Sequence, residues 1–595
     1  MSEVVNYERD ERDEIDEKLE SKEEIKDEVE EVKEEEDEIN PNELLRKYLL
    51  IYSQSKDNKD ELELRFGTNW KRPVTKIKFN NFIKKLKSLG FEQESIQHYL
   101  NINNEFIDTK TGRKKTSNIR TQILNTHNIK KYCHTNTINL EDLNNNFNIS
   151  FLQKFRKKFG DDVLEPIDFK DFEFRVNYKS ERPLIYQNNL VQNLVNNWND
   201  SKKIFRLIKR LTFKHIDFPF KFDLSIIRSS KKYKSRFISE YNIEASNVFK
   251  NPETYEIEIE IDNRFRSNYD ELYLKLKKSI KIILSALQNT NYPVSYNEQK
   301  IVLQEYVNTI NGGVVDRKIR SSDFIGPSSI SVEMINVIPN SEDLSYPNIN
   351  LPYTVTEKAD GDRNLLYISS IGKVYLINVN LEVMFTGCIT KNEECFNVII
   401  DGESVERDKE NNFINYYLCF DIYYLKAKSV LQFPFINMEG MEYVDKKMSR
   451  EIFRYDTLLK CLNSLNLECV TKKKAPLKVK PKVFYRNTSK SIFSQCNEIL
   501  NKVDSDGFIY ETDGLIFTPI NMGVGSDVIG EKPITSKITW QRSLKWKPPE
   551  FNTIDFLVTT KKDKMGGDLI SNEIVEGINV SSNSNILKYK TLELR

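Results

Sequence analysis

The chain has 595 residues and a mass of 70.0 kDa, enough for several domains at about 150 residues each. That length excludes a single small module; charged residues make up 30% and hydrophobic residues 39%, and no apolar run reaches the roughly 20 residues that span a bilayer, so no membrane contact is expected. The opening residues lack the basic start and apolar core of a secretory signal, and the seven cysteines contain no CxxC, which points to free thiols in a reducing, intracellular compartment.

The formal net charge is zero, but residues 1–40 hold 20 acidic and 6 basic residues. The rest of the chain therefore carries a net +14, which suits a polyanionic substrate. The acidic tail reads as a disordered spacer. Helical spacing begins near Asn42, and the first strand reads over 61–68 as ELELRFGT. A helix follows over 76–89, stopped by Gly90. Short alternating segments over 118–262 predict an antiparallel sheet or barrel. Helices over 269–288 and 297–309 then lead into a polar linker, with a domain boundary at 300–340 and a second alternation of strands and helices over 353–557.

Two strands concentrate carboxylates. Period-two alternation places Glu61, Glu63 and Arg65 on one face of the first strand, and Glu256, Glu258 and Glu260 on one face of YEIEIEID. Like charges about 7 Å apart repel one another, so such a face suits a hard divalent cation with oxygen ligands. Intervening strands supply cations: Arg175 and Lys179, Arg206 and Arg210, and Arg228 just beyond Asp223 and Ser225. A barrel with these groups inside would hold a metal against a chain of phosphates.

This pattern resembles the triphosphate tunnel metalloenzymes, particularly the metal-dependent RNA 5′-triphosphatases of fungal, protozoal and large-DNA-virus capping systems. The resemblance implies Glu61, Glu63 and Glu260 as ligands of Mg²⁺ or Mn²⁺. It gives Glu63 and Glu258 catalytic roles, with Glu256 and Glu258 orienting basic groups or the attacking water, and makes Arg175, Lys179, Arg206, Arg210 and Arg228 phosphate ligands. Ile208 stands where the family often has a further inward cation.

A second constellation runs TEKADGDR, IIDGESV, YLCFDIYYL, TDGLIFTP and LKWKPP, in that order over about 190 residues, a spacing suited to covalent nucleotidyl transfer. It resembles the RNA guanylyltransferase branch of the superfamily shared with ATP-dependent ligases, and the pairing of LKWKPP with NTIDF resembles capping enzymes. A lysine amine attacks phosphorus only when unprotonated, so Lys358 is expected to be activated by Arg363, Lys545 and Lys547. The resemblance implies a metal near Glu403 and Asp513, ribose contacts from Arg363 and Glu403, and base stacking on Phe420.

The expected fold is therefore α+β: a triphosphate-tunnel barrel over 41–300, a linker over 301–340, and a ligase-like nucleotidyltransferase domain over 341–550. Residues 551–595 read as the start of an OB-like segment, incomplete or absent as a barrel, and the string Lys562, Asp563, Lys564 lacks the leading Arg of the family's late motif. The expectation is a fragment, an enzyme that has lost its lid, or one that receives the missing barrel from another polypeptide, with weak adduct formation. The expected partners are the 5′-triphosphate end of nascent RNA, GTP, and an RNA polymerase or methyltransferase subunit, acting in a viral factory, virion or host cytoplasm, or else in the nucleus. An ATP-dependent polynucleotide ligase and an inactive RNA-binding capping subunit are the alternatives.

Overall fold

A computed structural model describes residues 40–67, 72–108, 111–138, 149–233, 236–262, 268–339, 346–437, 452–471, 473–486, 491–527, 539–553, 556–564, 566–574 and 586–594. The acidic tail, Thr68 and most of the IDF string lie outside these residues.

The first half is an eight-stranded antiparallel barrel. Its strands are β1 (Asp60–Phe66), β2 (Glu92–Ile107), β3 (Lys114–Leu124), β4 (Ile149–Arg156), β5 (Phe174–Leu184), β6 (Lys203–Lys214), β7 (Phe220–Ser229) and β8 (Thr254–Ile261). They run in the order β1-β8-β7-β6-β2-β3-β4-β5, and β5 pairs back to β1 to close the ring.

Polarity is inverted relative to an ordinary filled barrel. The apolar members of each alternation, including Leu62, Leu64, Phe66, Phe222, Ile257 and Ile259, point outward into a core shared with helices α1 (Pro41–Gln54), α2 (Lys76–Ser88) and α3 (Tyr269–Leu287). The charged members point inward. In α2 the Thr75 hydroxyl caps the Lys78 N–H and Phe79, Phe82 and Leu86 are buried; Gly90, at φ +83°, follows the helix in a conformation that favours glycine.

The second half holds two sheets. The smaller runs Ser328–Ser331, β16 (Thr539–Trp546), β15 (Thr512–Pro519), β9 (Tyr353–Ala359) and Tyr485–Arg486. The larger contains β14 (Phe413–Leu425), β13 (Val398–Arg407), β10 (Asp362–Ile368), β11 (Lys373–Asn378) and β12 (Val383–Ile389), edged by Lys428–Ser429 and Glu468–Cys469.

Helix α4 (Tyr296–Asn311) straddles residue 300 and packs with this half. Ser295 caps its start, Gly312 at φ +70° ends it, and Val302, Tyr306, Val307 and Ile310 share a core with Leu365, Tyr367 and Ile377. Just before it, Thr290 Oγ1 donates to the Phe385 carbonyl at 2.7 Å, and the Tyr292 ring lies so close to Gly387 that a Cβ there would fall 2.3 Å from it. After β16, Val558–Thr560 pairs with Leu592–Leu594 and Ile570–Ile574 with Ile586–Lys590; among the described residues these are separate two-stranded ladders.

Candidate active sites

The barrel encloses a cavity of about 270 Å³. Glu61, Glu63, Glu181, Glu256, Glu258 and Glu260 line it, and so do Arg65, Arg120, Lys154, Lys179, Arg206 and Arg210. Register explains the gathering: Glu63 is the direct cross-strand partner of Glu260, and Arg65 of Glu258. Direct partners on adjacent strands face the same side of a sheet.

The two ends differ. At one end Arg65 reaches Glu256 at 2.6 Å and Glu258 at 2.8 Å, while Arg206 reaches Glu256 at 3.1 Å. Arg210 spans Glu258 at 2.7 Å and Asp223 at 3.1 Å. At the other end Glu63 accepts from Lys179 at 2.8 Å and from Asn177 at 3.1 Å. Burial alone would push the Glu63 carboxyl up, but Arg65, Lys179 and Lys154 outweigh it and bring it to about 2. Among the described residues Glu260 has Lys221 at 3.5 Å as its ion-pair partner, and burial followed by repulsion from Glu61 drives it up to about 7. Glu61 Oε2 is buried without a hydrogen bond, with Lys154 Nζ 3.5 Å away.

One expected phosphate ligand is corrected by this geometry. Arg228 falls on the outward face of β7 with Phe222 and Leu224, where it pairs with Glu253 at 2.9 Å. Arg175 on β5 is the direct partner of Arg65 and faces the same side as it, but its guanidinium is forked onto Asp168 with both contacts at 2.7 Å, short of the cavity lining. Ile208 does line the cavity. Arg120 on β3 and Lys154 on β4 also line the cavity and are not among the expected phosphate ligands; each is a lone cation among the cavity-lining positions of its strand, so no charge pattern pointed to it.

In the second half Lys358, near the end of β9, lies opposite Gly514 on β15. Its Nζ is 2.7 Å from Asp513 Oδ1, and Lys547 Nζ is 2.7 Å from Asp513 Oδ2, so one carboxylate is shared by two lysines. Burial raises the Asp513 carboxyl, yet hydrogen bonds from these two lysines lower it overall. Glycine is required at 514: its φ is +147°, and a Cβ would lie 1.9 Å from the Trp546 carbonyl oxygen. Lys545 shares the site-facing side of β16, because Leu544 and Trp546 turn into the opposite core.

Arg363 and Glu403 are direct partners on β10 and β13. The Arg363 guanidinium is committed to the fully buried Asp401 through a forked pair, and it donates to the Pro327 carbonyl at 2.6 Å. It also lies 5.7 Å from the centre of the half-buried Phe420 ring. Burial pushes Glu403 up to about 7, against the pull of Lys482, Lys358 and Arg363. Asp401 and the buried Lys482, whose Nζ donates to the Glu357 carbonyl, are the contributors that sequence reasoning passed over. The charge inside the apolar run VIID was the signal for the first.

In neither site, among the described residues, do three His, Cys, Asp or Glu side chains stand close enough together to hold a metal ion as placed. In the barrel the carboxylates are engaged by lysines, as when Lys179 holds Glu63. The donor set nevertheless fits a hard cation: carboxylate oxygens only, one of them buried without a hydrogen bond, and a second carboxylate raised by burial and then by its neighbour.

The molecule thus joins a charged tunnel to a cleft built around a strand-end lysine. Residues 292–549 match the family model described as mRNA capping enzyme, catalytic domain. A probable mRNA-capping enzyme of Acanthamoeba polyphaga mimivirus is 28% identical over 342 residues, covering 54% of this chain and 27% of the relative. The Mus musculus mRNA-capping enzyme is 28% identical over 232 residues, covering 36% and 32%. The chain therefore spans about a third or less of the length of these curated relatives. Among solved structures, the mimivirus capping enzyme triphosphatase aligns at 17% identity and a TM-score of 0.27, over 41% of this chain and 98% of that one. The S. pombe RNA triphosphatase Pct1 aligns at 13% identity and a TM-score of 0.25, over 41% and 92%.

Proposed function

We propose that the chain performs two successive steps of mRNA 5′ cap formation. The barrel removes the γ-phosphate from pppRNA to leave ppRNA, and the second half transfers GMP from GTP through Lys358 to give GpppRNA. The observation that carries the reading is the position of Lys358 in the cleft of the stretch matched to the capping catalytic domain, behind a barrel whose interior is a ring of carboxylates and cations.

In the tunnel, Lys179, Arg206 and Arg210, with Arg65, Arg120 and Lys154, would take up the negative charge of the triphosphate. Glu61, Glu63 and Glu260 would hold Mg²⁺ or Mn²⁺, which when bound supplies charge neutralisation at the γ-phosphate and a more acidic water. Glu256 and Glu258 fix the guanidinium groups of Arg65, Arg206 and Arg210. Glu258 is also suited to orient the attacking water.

In the cleft, the Lys358 amine would form a bond to the α-phosphorus as the bond to pyrophosphate breaks. Asp513 holds Lys358 in position through the 2.7 Å contact, and Lys545 and Lys547 would face the phosphates. Glu403 and Asp513 would carry the cleft's metal, Glu403 would reach the ribose, and Phe420 would stack the base. Arg363, held by Asp401, anchors β10 beside Glu403. An RNA polymerase or methyltransferase subunit as partner, and an intracellular, viral setting like that of the mimiviral relative, belong to the same reading.

Incubation with α-labelled GTP or ATP and Mg²⁺, followed by denaturing electrophoresis, tests the second activity. A labelled band with GTP and none with ATP is expected; labelling by ATP alone would mark a ligase instead. Release of γ-phosphate from triphosphate-ended RNA tests the first.

A further inference from the structure

We propose that the hairpin formed by Lys232–Tyr233 and Arg236–Phe237 is a docking site for the RNA chain that follows the 5′-triphosphate, at the cation-rich mouth of the tunnel. The inference rests on the triphosphatase reading and extends it to the body of the substrate.

The cavity sets the problem. At about 270 Å³ it is smaller than the roughly 300–1,000 Å³ of pockets that enclose a drug-sized ligand, so it has room for phosphates and not for the nucleosides behind them. Those nucleosides must lie at one mouth. The end with Glu61, Glu63 and Glu260 sets its carboxylates against Lys154, Lys179 and Lys221, whereas at the end with Arg65, Arg120 and Arg206 the guanidinium groups outnumber the carboxylate of Glu256 that pairs with two of them.

The hairpin rises from this second end. Arg206 pairs in register with Ser229 at the end of β7, and the next residue, Ser230, donates its N–H to the Phe205 carbonyl at 2.9 Å. The hairpin base is closed by Ile238 N–H to the Lys231 carbonyl at 2.8 Å. Over the described residues 228–233 and 236–237, Arg228, Lys231, Lys232 and Arg236 are basic and none is acidic. Tyr233 is 66% exposed and stands directly opposite Arg236, and Lys232 Nζ lies 4.5 Å from the centre of the Phe237 ring. The field of Arg206 contributes to lowering Lys232, behind burial, which is consistent with the hairpin standing close to the tunnel wall.

An exposed aromatic ring set among cations, here Tyr233 beside Arg236, is the chemistry that binds single-stranded nucleic acid without reading its sequence. Bases stack on the rings and phosphates meet the cations. The outward Arg228 is held by Glu253 on the flank of the same segment and is not required for docking.

The test uses the full chain carrying Tyr233→Ala and Arg236→Ala together, with two substrates: a short single-stranded RNA bearing a 5′-triphosphate, and inorganic tripolyphosphate. Loss of one stacking face and one cation is expected to raise KM for the RNA roughly tenfold and to flatten the salt dependence of its binding. Tripolyphosphate hydrolysis should stay at the wild-type rate. Equal RNA KM values in variant and wild type would overturn the proposal, and so would an equal loss on both substrates, which would mean that the hairpin only supports the tunnel. If the wild type hydrolyses neither substrate, the triphosphatase reading fails on its own. Fluorescence anisotropy with the same RNA then decides the hairpin: weaker binding by the variant supports docking, and equal binding refutes it.

Discussion

Arg363 shows how a single side chain can be read two ways. Its place after Lys358, Asp360 and Gly361 suggests a group that reaches the nucleotide, but the fold turns its guanidinium onto Asp401, which has no solvent exposure, and onto the Pro327 carbonyl. Removing one partner of a buried pair leaves the other charge unmatched. Asp401→Asn should therefore lower unfolding stability by about 3 kcal/mol, measured by urea titration, and should weaken GMP-adduct formation by displacing Glu403, the cross-strand neighbour of Arg363. Lys358 itself is tested by chemistry rather than by stability. Lys358→Arg keeps a cation beside Asp513 but offers a permanently protonated guanidinium, so the adduct should vanish on denaturing gels while melting temperature changes little.

Among the elements, the clearest lesson comes from the barrel. Strand β1 and strand β8 were legible because Leu, Phe and Ile alternate strictly with Glu and Arg, and helices α2 and α3 because apolar spacing and caps agreed. Strand β2, sixteen residues long, escaped the sequence reading. Its inward members Gln97, Tyr99 and Asn101 face the charged cavity, and its outward apolar members, Leu100 and Ile102, are buried under a separate helical cluster, so neither face shows a long apolar stripe. The same inversion misplaced Arg228: parity along FKFDLSIIR puts it with Phe222 and Leu224, and no charge pattern could outrank that parity. In the second half the motif strings located β9, β13 and β15, but the tight approach of β15 to β16 was visible only in the fold. Gly514→Ala would drive a methyl group against the Trp546 carbonyl, forcing the strands apart between Asp513 and Lys547. The expected cost is about 1–3 kcal/mol of stability, measured by thermal melting, together with a much larger fractional loss of adduct formation.

At the scale of the whole molecule, each proposed activity draws on its own sheet system and its own carboxylates. Glu63→Ala should abolish γ-phosphate release while leaving the GMP adduct intact, and Lys358→Ala should do the reverse; if either substitution silenced both reactions, the two-site division would be wrong. Where the halves separate is a distinct question, and α4 answers it. A cut placed inside the polar stretch after residue 311 looks harmless in the sequence, because NGGVVDRKIRSS has the composition of a linker. The fold says otherwise: Val302, Tyr306, Val307 and Ile310 are buried against Leu365, Tyr367 and Ile377, the Tyr306 hydroxyl donates to the Asp323 carbonyl at 2.8 Å, and Glu298 engages both Lys373 and Tyr375. A fragment of residues 320–553 would expose that apolar face and lose one of its main cores, so it should aggregate or melt far below the intact chain. A fragment of residues 288–553 keeps the helix together with Thr290 and Tyr292, and should remain soluble and form the GMP adduct. Size-exclusion chromatography of the two fragments, followed by GTP labelling, is the measurement; equal behaviour of both would show that α4 is dispensable to the second half.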